Sequence, residues 1–219
     1  MNKKTNLKVI LSVAVATLGI VGTLSAQTSS QDASDPAKAS QGANYGLLGE
    51  RYGGLDLSYT HLDGSAFDDI NGFLFRYNQP LYAGLDFGLG YEWGRSDDVG
   101  NLRLKQQELT ASVTAYTDYS GNLRPYVQPG IGWTWSKAGS AKSDSFLYFV
   151  GAGVEVQVAQ SWVVSPYVQF VDATEYSGSN VNFGVKSAYR FNRNWGLQGD
   201  ISIDDDQNTG LSVGVNYHF

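Results

Sequence analysis

The stretch Gly84-Leu85-Asp86-Phe87-Gly88-Leu89-Gly90-Tyr91-Glu92-Trp93-Gly94 decides the fold. Leu85, Phe87, Leu89, Tyr91 and Trp93 are large and apolar, and every residue between them is Gly, Asp or Glu. Successive side chains of an extended strand point to opposite faces. This alternation therefore predicts a strand with one apolar and one polar face. A helix would scatter the same residues around its axis.

Period two recurs on both sides of this stretch. The apolar positions run Leu55, Leu57, Tyr59; Phe73, Phe75, Tyr77; Leu109 to Ala115; Val127 to Trp135; and Tyr148 to Val156. They continue through Val164 to Phe170, Val181 to Phe191, Leu197 to Ile203 and Leu211 to Phe219. With the opening stretch these make ten candidate strands, or eight if one hairpin is lost. Pro125-Tyr126-Val127-Gln128 returns as Pro166-Tyr167-Val168-Gln169, a weak internal repeat of a hairpin unit. Pro129 inside its strand should remove a ladder bond and produce a bulge.

The connections alternate in character. Polar or acidic ones span His61 to Asn71, Ser96 to Asn101, Lys137 to Ser145, Asp172 to Asn180 and Asp204 to Asn208. Tight turns fall around Gln79-Pro80, Tyr119 to Asn122, Ala159 to Ser161 and Asn192 to Asn194. Short turns at one end and longer loops at the other are the asymmetry of an outer-membrane barrel. An even strand count puts both chain ends on the periplasmic side.

Composition agrees. Of 219 residues only 16% are charged, while 26 are Gly and 14 are Tyr. Soluble domains carry about 25% charged residues. Lys3, Lys4 and Lys8, the apolar run Val9 to Leu24, and Leu24-Ser25-Ala26 read as a signal peptide over residues 1–26. Residues 27–49, rich in Ala, Ser, Gln, Asp and Gly, read as a flexible periplasmic lead-in, and residues 50–219 as one domain. Without the three leader lysines, 12 of the 15 basic residues stand against 21 acidic ones. That balance argues against nucleic-acid binding. The absence of Cys excludes disulfides, thiolate metal sites and an acylated N-terminal cysteine.

Alternation alone does not separate a membrane barrel from a soluble one whose apolar face points inward. The polar face is rich in Gly, Ser, Thr and Gln and poor in Lys, unlike a water-exposed surface. Aromatics gather at both strand ends. Tyr77, Tyr82, Trp162, Phe191, Trp195 and Tyr217 mark one rim; Tyr59, Tyr91, Trp93, Trp133 and Trp135 mark the other. Two such girdles around an aliphatic band fit lipid interfaces. The fold class expected is an all-β, transmembrane, antiparallel up-and-down barrel.

The C-terminal Leu211, Val213, Val215, Tyr217 and Phe219 resemble the assembly signal of bacterial outer-membrane proteins. With the leader, the Gly-rich strands and the Pro125-Tyr126-Val127 strand start, residues 50–219 resemble the small OmpA/OmpX-like barrels. The resemblance implies recognition by the barrel-assembly machinery. It also implies contact with outer-membrane lipid and lipopolysaccharide. Ten strands depart from the eight of that family's smallest members, and no peptidoglycan-binding domain follows the barrel.

Parity places Asp56, Arg76, Asp86, Glu92, Glu108, Glu155, Lys186, Arg190 and Asp200 inside. Charges in a narrow barrel must be paired or hydrated, so a salt-bridged, watered and mostly occluded lumen is expected. Inward Gly88, Gly90, Gly130, Gly132, Gly151 and Gly153 make room for Tyr126, Phe149 and Tyr167. His61, with Asp63, Ser65, Asp68 and Asp69 nearby, is a thin candidate for general-base chemistry; one solvated loop rarely gives triad geometry. His218 reads as an inward polar residue. Carboxylates in the outer loops and rims (Asp63, Asp68, Asp69, Asp97, Asp98, Asp144, Asp172, Glu175 and Asp204 to Asp206) lack the spacing of a dedicated calcium site. No catalytic residue, metal or cofactor is therefore expected. The function expected is a non-enzymatic envelope or surface-interaction role. A small, weakly cation-preferring passive channel is the alternative, and an outer-rim hydrolase a third.

Overall fold

A computed structural model describes residues 27–28, 50–51, 53–63, 69–82, 84–96, 103–117, 122–174 and 179–219. The leader falls outside the described residues. So does the lead-in, apart from Gln27–Thr28, which pair antiparallel with Glu50–Arg51.

Ten antiparallel strands close into a barrel in which each strand pairs with its sequence neighbours and the last pairs with the first. They are β1 (Gly54–Asp63), β2 (Ile70–Tyr82), β3 (Leu85–Ser96), β4 (Leu104–Tyr116) and β5 (Leu123–Ala138). The wall continues through β6 (Ala141–Ala159), β7 (Trp162–Ala173), β8 (Ser179–Arg190), β9 (Trp195–Asp204) and β10 (Thr209–His218). Closure runs over ten residue pairs from Thr209↔Asp63 to His218↔Gly54, so the barrel wall has no unpaired edge among the described residues.

The polarity is the reverse of a soluble barrel. Leu57, Phe73, Ile131, Phe183, Ile201 and Val213 stand out from the wall, each 52–61% exposed. Their in-between neighbours, such as Ser58, Gln128, Ser202 and Ser212, are buried inside. On β5 the outward row runs from Leu123 to Trp135. Twelve steps of about 3.3 Å, tilted by about 40°, give roughly 30 Å, the thickness of a bilayer's hydrocarbon core. Tyr82, Trp162, Tyr189 and Trp195 are exposed at the end where β1 starts and β10 finishes, and Tyr59, Tyr91, Trp133 and Trp135 towards the opposite end.

Beyond the second girdle the polarity inverts. Leu62, Leu104, Ala138, Val171 and Ala173 face inward and are buried, while the alternating Asp63, Lys105 and Lys137 face out. A wall bathed in water hides its apolar residues inside. The inversion therefore marks where the barrel leaves lipid.

The structure corrects three expectations about turns and bulges. Lys137 to Ser145 is not a loop: β5 and β6 continue to a two-residue turn at Gly139-Ser140, where Gly139 has φ 61°, as two-residue hairpin turns require. The first tight turn lies not at Gln79-Pro80 but beyond Tyr82, at Gly84 with φ 79°. Pro80 stays in β2, beside a shift in register. Pro129 makes no bulge, because the β4–β5 register is the same on both sides of it. The proline skips its ladder bonds to β4 and keeps its pairing with Val150 on the other side.

Candidate functional site: the barrel interior

Three inward aromatics set the packing of the interior. Each lies across a glycine that is its registered partner on the neighbouring strand. Phe149 lies over Gly130 and Tyr126 over Gly153, and Tyr167 over Gly184. A Cβ built on Gly153 would sit 2.7 Å from the Tyr126 ring, and one on Gly184 would sit 2.5 Å from the Tyr167 ring. Without a side chain on β8, the Tyr167 hydroxyl reaches β9 and donates to Asp200 Oδ1 at 3.1 Å.

The charges interlock around these rings. All nine residues that parity assigns to the lumen are buried. Arg76 lies within electrostatic reach of Asp56, Glu92 and Asp200, and Asn78 donates to Asp56 at 3.3 Å. Lys186 faces both Asp200 and Glu155, with its ammonium 4.4 Å from the Tyr167 ring centre. Glu92 and Glu108 face each other. Asp86 accepts from the Tyr116 hydroxyl at 3.2 Å.

Parity extended two residues before Tyr126 reaches Arg124, which lies in β5 ahead of the expected Pro125 start. It is 1% exposed, ion-paired with Glu155, and holds its guanidinium 4.7 Å from the Tyr116 ring centre. Asp204 was expected in a loop, and the structure corrects this. It ends β9 facing inward, buried, and accepts from Asn180 at 3.2 Å and Asn208 at 2.7 Å. Buried ionisable side chains among the described residues therefore include seven acids and four strong bases. Nearer the outer mouth, Leu147, Phe149, Val171 and Ala173 form an apolar cluster.

His61 turns to the outer face, and its Nδ1 lies 2.9 Å from Asn71 Oδ1, not from a carboxylate. Ser65 and Asp68, weighed with it, lie outside the described residues, as do Asp97, Asp98 and Glu175. His218 is inside and faces Arg190. Among the described residues no group of three His, Cys, Asp or Glu could hold a metal ion. Leu211, Val213, Val215 and Phe219 are exposed on the outer face, and the Phe219 ring stacks on Tyr77 at 6.4 Å.

A closed strand wall with an apolar exterior of bilayer height and a charged interior is a transmembrane β-barrel. The fold is that of a small ten-stranded barrel of the outer-membrane type. Among solved structures it is similar to the porin NanC, at 9% identity and a TM-score of 0.50, over 75% of this chain and 100% of that one. It is also similar to the Neisserial surface protein NspA, at 16% identity and a TM-score of 0.42, over 77% and 96% of the two chains. The attachment invasion locus protein Ail of Yersinia pestis gives 10% identity and a TM-score of 0.42, over 77% and 97%. The likeness to NanC is one of fold. No family model and no curated protein matches the sequence.

Proposed function

We propose that the chain is a non-enzymatic, occluded outer-membrane barrel that contributes to envelope integrity or to surface interaction. One observation carries this reading: the inward polar and charged side chains are almost without exposure to solvent. Arg124, Thr134, Ser165 and Asn182 are at most 1% exposed, and Arg190 is 2%. Tyr126, Phe149 and Tyr167 are buried inside, and Leu147, Phe149, Val171 and Ala173 cluster towards the outer mouth. A filled barrel of this size gives rigidity in the membrane and a fixed platform for its loops. The C-terminal row from Leu211 to Phe219 would guide it to the barrel-assembly machinery.

The excess of acids over bases inside favours a second reading, a small cation-preferring passive channel, a role within the range suggested by the porin fold it shares. Planar-bilayer recording of the refolded full chain separates the two. Silence at moderate voltage supports the filled barrel. Steady, cation-selective openings would replace it with the channel.

A further inference from the structure

We propose that the outer face carries a docking site for the phosphate groups of outer-leaflet glycolipid, built from Arg95, Lys105, Lys137 and Lys142. The inference rests on the membrane placement and not on whether the lumen conducts.

Cross-strand register carries the argument. Arg95 pairs with Lys105, Lys105 with Lys137, and Lys137 with Lys142. Four cations thus stand side by side on four consecutive strands, and strand spacing of about 4.8 Å makes the row roughly 14 Å long. Directly opposed like charges destabilise a sheet, and three such pairs in succession call for an anion that bridges them. None of the four forms an ion pair with another described residue.

Position names the anion. All four point outward, immediately above the row that holds Trp93 and Trp135. Lys137 is two residues beyond Trp135, about 5 Å further along the membrane normal. This is the depth at which apolar outward residues give way to charged ones, hence the level of lipid headgroups. Lys105, Lys137 and Lys142 also line, together with Trp135, a groove of about 280 Å³. The indole offers an apolar wall against which an acyl chain or sugar can lie. Asp144 is the one acid lining the groove, so the local balance stays cationic. The lumen's acid excess is separated from this face by the barrel wall.

The test uses the full chain folded in zwitterionic detergent, titrated with phosphorylated lipopolysaccharide and followed by thermal midpoint and by direct binding. Each cation near an anionic lipid surface contributes about fivefold to binding. R95Q/K105Q/K137Q/K142Q should therefore weaken binding by about 100-fold or more, while the native fold and a matched Arg193→Gln change at the opposite rim leave it intact. Raising the salt should weaken the native interaction towards that of the variant. Enzymatically dephosphorylated lipopolysaccharide should bind the native protein no better than the variant binds the phosphorylated form. Should the fourfold variant fold poorly, K137Q/K142Q on the hairpin is read instead, with about a 25-fold loss expected. Unchanged affinity in the variants, or equal binding of the dephosphorylated glycolipid, would overturn the proposal. Competition by millimolar inorganic phosphate alone would likewise overturn it, because it would reassign the row to a free anion.

Discussion

Cutting one side of the Arg124–Glu155 pair should harm the barrel more than removing both sides. The two side chains are 1% and 6% exposed, so either charge left behind is stranded where water is scarce. Removing one partner of such a buried pair costs about 3–5 kcal/mol. Arg124→Met belongs at the lower end, because Lys186 still faces Glu155. Glu155→Leu belongs at the upper end, because it removes the carboxylate paired with a guanidinium that is only 1% exposed. The double change replaces the pair with apolar side chains and should lie within about 1 kcal/mol of the native protein, or above it. Urea unfolding in lipid vesicles, followed by tryptophan fluorescence, reads these numbers. With a slope of about 2 kcal/mol per molar, Arg124→Met should lower the midpoint by about 1.5 M and the double change by less than about 0.5 M. A double variant that falls by the sum of the two singles would refute the reasoning, since it would mean the two sites act independently.

Ile131 stands mid-height on the outer face of β5, so Ile131→Arg should cost about 2–4 kcal/mol of folding stability in vesicles, against about 0–1 for Trp135→Arg at the interface. Gly184→Leu would drive a side chain through the Tyr167 ring. It should cut the folded fraction sharply on unboiled gels, and Tyr167→Ala in the same chain should restore much of it. Trimming Tyr126, Phe149 and Tyr167 together to Ala should turn a silent barrel into one with measurable conductance. Continued silence there would show that something other than these rings closes the lumen.

The two-residue phase of every strand was legible in the sequence because lipid demands it. Wherever hydrocarbon meets the wall, outward positions such as Leu89, Ile131 and Val213 are apolar and their neighbours are not. Strand ends were less legible for the same reason. Above the lipid the pattern changes sense, so Lys137-Ala138 and Ala141-Lys142 alternate with the lysines outside and the alanines inside. Read against a membrane pattern, such a segment looks like a polar loop. The β5–β6 hairpin therefore reads as one, and the apolar mouth around Leu62, Leu104 and Val171 leaves no membrane-type signal. Arg124 escapes the pattern because Pro125 reads as the first residue of the strand. Asp204 was missed because Asp204-Asp205-Asp206 reads as turn chemistry, although the first of the three still faces inward. The cation row needed register, which depends on turn lengths. No local pattern relates Arg95 to Lys142.

The central claim is that the barrel faces lipid with its apolar side, and cysteine scanning tests it most directly. The chain contains no cysteine, so each one introduced from Val127 to Trp135 on β5 is the only thiol present. Each single-cysteine protein is folded into vesicles, labelled with a fluorophore in the unfolded state, and exposed to a quencher on the lipid chains. Strong quenching at 127, 129, 131, 133 and 135, with weak quenching at the positions between, is the expected alternation. Quenching that is weak at every position, in a protein that stays soluble without detergent, would contradict the account, because the apolar face would then be shielded from lipid.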